Sequence, residues 1–417
     1  MSAIESLLLW AFGAALTLWS ILAAVILATR VLHDRRQREL RSIRRLLQSA
    51  GVASEAAGKV LLTRGAQSIL ATTRLHRRPL ERVAADSSTP VWLAELLSLH
   101  LLVKWGANRL VRQASSHRGQ AGKWRRVAAL RILSQAGYAG GLLQLLKRAL
   151  RAADSDVVEA AVVILGRMAD VRAARLLVEA LRAGRHPPSR IASQLDRFPL
   201  PIGEELRPLL RDREPITRYW GAALLARYPV TPEIEAELVR LAEDTEPKVR
   251  KAAIATLGHT KAPATVSVAL KHLADSVGFV RAHAARALGQ FARRDVALEV
   301  ARLLADTDWW VRAGAKESLQ AMGEAAVEVL PGFLDHPDAF ARNGAAEVLQ
   351  NIGFLDRLLR EAGEEPPGGE KRAILRKALI AGKLQLLEAL VERADPRLAP
   401  EILRIVAELG LREAVSV

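Results

Sequence analysis

The chain has 417 residues, a formal net charge of +16 and no cysteine, which excludes disulfide frameworks and thiolate metal sites. Half of it is hydrophobic but only 4% is aromatic, and it is rich in Ala, Leu and Arg, which lose little freedom in a helix. The charge is uneven. Residues 30–131 hold 21 Lys+Arg against 6 Asp+Glu, a net of +15, whereas residues 132–417 hold 40 against 38, a net of +2. So neutral a C-terminal part argues against a nucleic-acid-binding solenoid, which carries its positive field along the groove.

In chain order, the first feature is an uncharged stretch from Ser6 to Thr29. About 20 residues rising 1.5 Å each cross a hydrocarbon core of roughly 30 Å. The start has no basic residue, and the apolar run ends in Thr29-Arg30 rather than at a small-residue cleavage site. The expectation is an uncleaved transmembrane helix over residues 5–29. Arg30, Arg35, Arg36, Arg38, Arg41, Arg44 and Arg45 flank it, and basic flanks stay on the cytoplasmic side. This predicts a single-pass protein of the cell inner (cytoplasmic) membrane with its N-terminus outside.

Residues 30–49 continue as a basic juxtamembrane helix with a partial apolar stripe at Leu32, Leu40, Ile43, Leu46 and Leu47. Residues 50–122 read as a divergent helical N-terminal cap. Helices are expected over Val60–Leu70 and Val91–Val111, with loops at Pro79, Asp86–Pro90 and Ser115–Gly122.

A repeat follows. Val249-Arg250-Lys251-Ala252-Ala253 leads to Leu257-Gly258, and Val280-Arg281-Ala282-His283-Ala284-Ala285 leads to Leu288-Gly289. Val311-Arg312-Ala313-Gly314-Ala315 leads to Leu319, Ala341-Arg342-Asn343-Gly344-Ala345-Ala346 to Leu349, and Thr217-Arg218 through Gly221-Ala222 to Leu225. The anchor arginines 218, 250, 281, 312 and 342 are spaced 32, 31, 31 and 30. Asp212, Asp244, Asp275 and Asp306 each stand six residues before their arginine, while Asp335 stands seven before Arg342. An amphipathic stretch such as Ala297–Leu304 or Ala326–Leu334 precedes each aspartate. The unit is helix, short Asp-containing turn, helix. One such hairpin of about thirty residues cannot bury its apolar face alone, so stacking is obligatory. Gly258 and Gly289 stand where a left-handed residue ends a helix. The later glycines, Gly323 and Gly353, predict second helices about one turn longer in those copies.

The Asp…Val-Arg-x-x-Ala-Ala-x-x-Leu-Gly pattern resembles the HEAT repeat family in its short bacterial, phycobilisome-lyase-like form. Five copies match between about 200 and 350, weaker ones occur at Trp124–Leu133 and Asp154–Gly166, and Pro188–Phe198 takes the slot of a divergent one. The resemblance covers roughly 123–360. It implies an all-α fold, a right-handed α-solenoid of HEAT-like helical hairpins behind the transmembrane helix. It also implies a structural Asp–Arg ladder joining the turns of adjacent repeats, through Asp212, Arg218, Asp244, Arg250, Asp275, Arg281, Asp306, Arg312 and Arg342. Residues 361–370, with Pro366-Pro367-Gly368-Gly369, read as a flexible loop. Residues 371–417 read as a C-terminal helical cap with helices at Lys371–Ala381, Lys383–Arg393 and Leu398–Leu409.

No catalytic, cofactor or metal motif is present. Six residues separate Gly51 from Gly58-Lys59 and no Ser or Thr follows, so a P-loop is excluded. His259, His272 and His283 lack paired ligand spacing. Asp154-Ser155-Asp156 and Asp306-Thr307-Asp308 lie in repeat turns, where aspartate caps the next helix. One feature stands out in so aromatic-poor a chain. Phe279, Trp310 and Phe340 each stand two residues before an anchor arginine, and Trp309 adds a ring. They form a candidate partner-binding ridge, unless each ring instead covers the seam to its neighbour. The expected function is a membrane-anchored scaffold or adaptor that binds a membrane-associated protein partner at the cytoplasmic face. No enzymatic activity, small-molecule substrate or nucleic acid is expected. The alternatives are a phycobilin-lyase-like enzyme and a HEAT-like nucleic-acid-binding protein.

Overall fold

The computed structural model describes residues 81, 84, 85, 91–115, 120–362 and 369–393. Every regular element among them is helical. They belong to two units, one ending at Leu165 and the other beginning at Gly166.

In the first unit, helix α1 (Val91–Trp105) and helix α2 (Ala107–Ser115) meet at Gly106. The sequence predicts one helix there. Gly106 has φ +77°, a conformation that costs a Cβ-bearing residue, and the chain breaks at that point. Helices α3 (Gln120–Gln135) and α4 (Leu142–Ala149) follow, and α5 (Ser155–Arg167) begins in this unit. Leu97, Leu101, Leu110, Leu130, Leu133 and Leu146 are fully enclosed. Arg126 is buried too, and its Nε donates to the Ala114 carbonyl at 3.2 Å. That bond closes a C-terminal carbonyl of α2 that no helical N–H can reach.

The second unit is built from hairpins. The first helix of each pair is α6 (Val171–Arg182), α8 (Gly203–Leu206), α10 (Pro232–Ala242), α12 (Thr265–His272), α14 (Arg294–Arg302) or α16 (Glu324–Val327). The matching second helices are α7 (Pro188–Asp196), α9 (Pro215–Leu225), α11 (Pro247–Thr260), α13 (Gly278–Leu288), α15 (Trp309–Met322) and α17 (Ala339–Asn351). After α8, α14 and α16 the chain tightens into 3₁₀ turns at Arg207–Arg211, Leu303–Ala305 and Leu330–Asp335. From α9 to α17, each second helix packs on the one before it. Their starts are fixed locally. Pro215 and Pro247 stand in a first turn, where a missing N–H costs nothing. Asp308 and Asp338 accept the Trp310 and Ala341 N–H at 2.8 and 2.9 Å.

Small residues set the distance between second helices. A Cβ built on Gly258 would lie 2.6 Å from the Ala287 Cβ, and one on Gly314 would lie 2.9 Å from the Ala282 carbonyl oxygen. The reading of Gly258 and Gly289 as left-handed helix ends is corrected. Gly289 has φ −57°, and Lys261, at φ +53°, ends the helix that contains Gly258. Both glycines serve close approach, since a Cβ on Gly289 would come within 3.1 Å of the Ser318 Cα. Gly323 and Gly353 do have positive φ, and the helices before them run 14 and 13 residues against 11 for α9 and α13. Helix α11 also has 14 residues, so length does not follow glycine placement alone.

Helix α18 (Phe354–Ala362) and helix α19 (Glu370–Arg393) close the described part. Lys371–Ala381 and Lys383–Arg393 form one helix, because Gly382 alone does not break it.

The placement in the inner membrane as a single-pass protein is corrected. No helix among the described residues is long and apolar enough to cross a membrane. The one with sufficient length, α19, carries nine charged residues in 24 positions, and each charge in a hydrocarbon core costs several kcal/mol, about 2.5–3.5 by insertion scales. Residues 5–29, 30–49, 60–70 and 398–409, with the seven flanking arginines from Arg30 to Arg45, lie outside the described residues.

Candidate partner-binding ridge and the Asp–Arg ladder

The turn before each second helix is tied in two directions. Arg218 donates through one guanidinium nitrogen to the Asp212 and Arg213 carbonyls of its own turn, at 3.0 and 2.9 Å. Through its other edge it donates to both carboxylate oxygens of Asp244 in the next turn, at 2.7 and 2.8 Å. Arg250 repeats this with the Asp244 carbonyl at 2.9 Å and the Asp275 carboxylate at 2.8 Å. Arg281 does so with the Asp275 carbonyl at 2.8 Å and the Asp306 carboxylate at 2.8 and 2.9 Å. Each aspartate also accepts the N–H two residues on: Glu246 at 2.9 Å, Val277 at 2.9 Å, Asp308 at 2.8 Å. Asp212 is held from the other side by Arg182, at 2.8 Å.

These pairs lie mostly out of water. The Arg250 side chain is 13% exposed and that of Asp275 is 5%. Burial pushes the Asp244, Asp275 and Asp306 carboxyls up, but the facing guanidinium and the turn N–H outweigh it, so all three sit below the ordinary carboxylate value. The same bonds hold Arg218, Arg250 and Arg281 above the ordinary arginine value, against the opposing effect of burial. Bidentate, charge-assisted geometry of this kind fixes orientation as well as energy.

The ladder stops at Arg312. Its guanidinium still binds its own turn, the Asp306 and Thr307 carbonyls at 2.7 and 3.1 Å. In the next turn, however, the slot six residues before Arg342 is His336. His336 Nδ1 accepts the Asp338 N–H at 3.1 Å, the same local bond the aspartates make, and its ring stacks on Phe333 with centroids 5.7 Å apart. It brings no carboxylate. Asp335, displaced by one residue, instead pairs with Lys377. Arg312 lies under the Phe340 ring, 4.2 Å from its centroid. Arg342 binds the His336 and Pro337 carbonyls at 2.7 and 2.9 Å.

The four aromatic residues of the predicted ridge are surface residues. Phe279 is 39% exposed, Trp309 57%, Trp310 53% and Phe340 60%. Trp309 and Trp310 stack, centroids 3.9 Å apart with 28° between planes. Ile216, 48% exposed, occupies the same position two residues before Arg218. The sequence reading missed it because it followed rings, whereas the offset from the anchor arginine would have found it. Lys248 takes the position in the intervening repeat.

Among the described residues no group of three His, Asp or Glu side chains is placed to hold a metal. His272 is built into the turn, with Nδ1 3.3 Å from Asp275 and Nε2 3.3 Å from Glu243. His283 Nδ1 lies 2.8 Å from the Phe279 carbonyl.

Residues 203–282 and 279–350 match the family model for HEAT repeats. The chain contains HEAT repeats. These segments include the anchor arginines from 218 to 342 and the ridge beside them. No curated protein matches the chain. Among solved structures, an engineered protein is 20% identical, with 79% of this chain and 98% of that one covered and a TM-score of 0.33. Importin beta in an ammonium sulfate condition is 14% identical over 80% of this chain and 55% of that one, with a TM-score of 0.41. Kap121p bound to Pho4p is 16% identical over 91% and 50%, with a TM-score of 0.39. The chain spans about half the length of the last two.

Proposed function

We propose that this chain is a non-enzymatic scaffold whose HEAT repeats bind a protein partner along the ridge formed by Phe279, Trp309, Trp310 and Phe340. Solenoids stack repeats into extended binding surfaces. The observation that carries the reading is the exposure of Phe279, Trp310 and Phe340 at one position of three successive repeats, with Trp309 exposed beside them. A tryptophan ring offers 150–250 Å² for burial, so closing off the exposed half of one is worth about 2–3 kcal/mol at roughly 25 cal/mol per Å². Two or three such rings suffice for a hot spot. The right-handed superhelix and the short bacterial subtype are what the resemblance of the Asp and Arg pattern to HEAT repeats implies.

The test compares the full chain with its Trp309→Ala/Trp310→Ala/Phe340→Ala variant in proximity labelling of the producing cells. The reading expects one or a few proteins to lose at least tenfold in labelling. The melting temperature should shift by only a few degrees, since exposed side chains contribute little to folding. An unchanged labelling pattern, or a collapse of the melting temperature, defeats it.

A further inference from the structure

In three successive repeats the edge of an anchor arginine closes on an aspartate from the next turn: Arg218 on Asp244, Arg250 on Asp275, Arg281 on Asp306. In the fourth repeat the arginine is kept and the acid is not. Arg312 is fixed by two own-turn carbonyl bonds, as Arg218 and Arg250 are, so its guanidinium is oriented as in those repeats. Its facing residue is His336, whose Nδ1 is taken by the Asp338 N–H. Among the described residues no carboxylate lies within ion-pairing distance of Arg312. The vacant edge is framed by the Phe340 ring, 4.2 Å from the guanidinium carbon, and Arg312 stands two residues beyond the stacked Trp309–Trp310 pair. The position is where the ladder's internal acid is missing, and it coincides with the most exposed rings of the ridge.

We propose that Arg312 is a recognition residue that takes an Asp or Glu side chain from a segment of the partner protein, with an apolar or aromatic residue beside that acid lying on Trp309, Trp310 and Phe340. The inference rests on the ridge reading above and narrows it to an acidic–aromatic peptide. The chemistry is supplied by the molecule itself. The partner's carboxylate repeats the bidentate pairing that Arg218, Arg250 and Arg281 make internally, and Arg is suited to that planar fork. A neutral amide of the same shape offers the fork only one accepting oxygen and brings no charge. A charge-assisted pair beside an aromatic anchor therefore discriminates acid from amide by about tenfold or more.

The decisive substitution is His336→Asp, which restores the residue found in the other four turns. The new side chain can keep the turn bond to the Asp338 N–H and close on Arg312, so the variant is expected to fold and to melt several degrees higher. A random heptapeptide display library is panned on the full-length wild-type chain, on His336→Asp and on Trp309→Ala/Trp310→Ala. The proposal expects wild-type ligands with Asp or Glu next to Phe, Tyr, Trp or Leu. Their affinity should fall at least tenfold when the acid becomes its amide, and fall similarly on His336→Asp. Ligands that lack an acid, or that bind His336→Asp as well as wild type, overturn the Arg312 role and leave the ridge standing. Ligands indifferent to the two tryptophans, or none enriched above the double-alanine chain, overturn both.

Discussion

The turns holding Asp244, Asp275 and Asp306 and the turn holding His336 share a backbone solution and differ in one side chain. All four satisfy the N–H two residues on, and all four offer a carbonyl to the arginine that follows. Only the first three close a salt bridge to the preceding repeat. The comparison separates two jobs that the repeated Asp performs together. Shaping the turn needs an acceptor near the chain, which an imidazole nitrogen supplies. Tying one repeat to the next needs a charge that reaches across, which imidazole in this position does not supply. Where the second job lapses, the surface carries three exposed rings, Trp309, Trp310 and Phe340.

The sharpest way to break this comparison is to remove one ladder acid and one unpaired arginine side by side. Asp275→Asn leaves Arg250 with its own-turn carbonyls but without its carboxylate, in a pair 13% and 5% exposed. Removing one partner of such a pair costs about 2–4 kcal/mol, less than the fully buried limit because water still reaches the arginine. For an array of this size that lowers the melting temperature by roughly 5–12 °C. Arg312→Gln removes no ion pair, and is expected to cost under about 1 kcal/mol, a shift within a few degrees. Equal losses in thermal melts of the two variants would show that the carbonyl bonds, not the carboxylates, hold the turns.

A second substitution probes the seam under the ladder. Gly258→Ala places a methyl 2.6 Å from the Ala287 Cβ and 2.9 Å from its Cα, so the two helices have to separate. Overpacking of this kind costs about 1–3 kcal/mol, despite the gain an alanine normally brings inside a helix. Urea unfolding midpoints distinguish the outcomes. A stabilised Gly258→Ala variant would mean that the two helices take up the methyl without separating, and the close-approach account would fall.

Much of this was legible in the sequence for a simple reason. A repeat of about 31 residues writes the same contact several times, so Arg218, Arg250 and Arg281 with their aspartates stand out by spacing alone. The ridge was visible in the same way, because rings are rare in this chain and fall at one offset. What stayed hidden depends on distances between helices. Spacing shows Gly258 near a helix end, but only the position of Ala287 shows that it is there to let two backbones meet. The counting that put Asp335 seven residues before Arg342 already contained the break in the ladder, yet the meaning of one residue of slip is geometric: it sends Asp335 to Lys377 and leaves His336 in the slot. A membrane span was inferred from apolar length, a signal that concerns residues 5–29 and finds no counterpart among the described helices.

The smallest expected effect concerns acid. Asp244, Asp275 and Asp306 sit below the ordinary carboxylate value despite burial, because the arginine and the turn N–H favour the charged form. In the unfolded chain they return to about 3.9. Between that value and their folded values the unfolded state binds more protons, so stability falls as pH falls through this window and is flat with respect to these groups above about pH 5. Each carboxylate contributes at most about 1.4 kcal/mol per pH unit there. Asp275→Asn removes one of the three, so its stability curve below pH 4 should be shallower than that of the wild type. His336→Asp adds a fourth and should steepen it. Unfolding by urea at stepped pH measures both slopes. Parallel curves for all three proteins would mean that the carboxylates titrate alike in folded and unfolded chains, which the pairing of Arg250 with Asp275 at 2.8 Å does not permit.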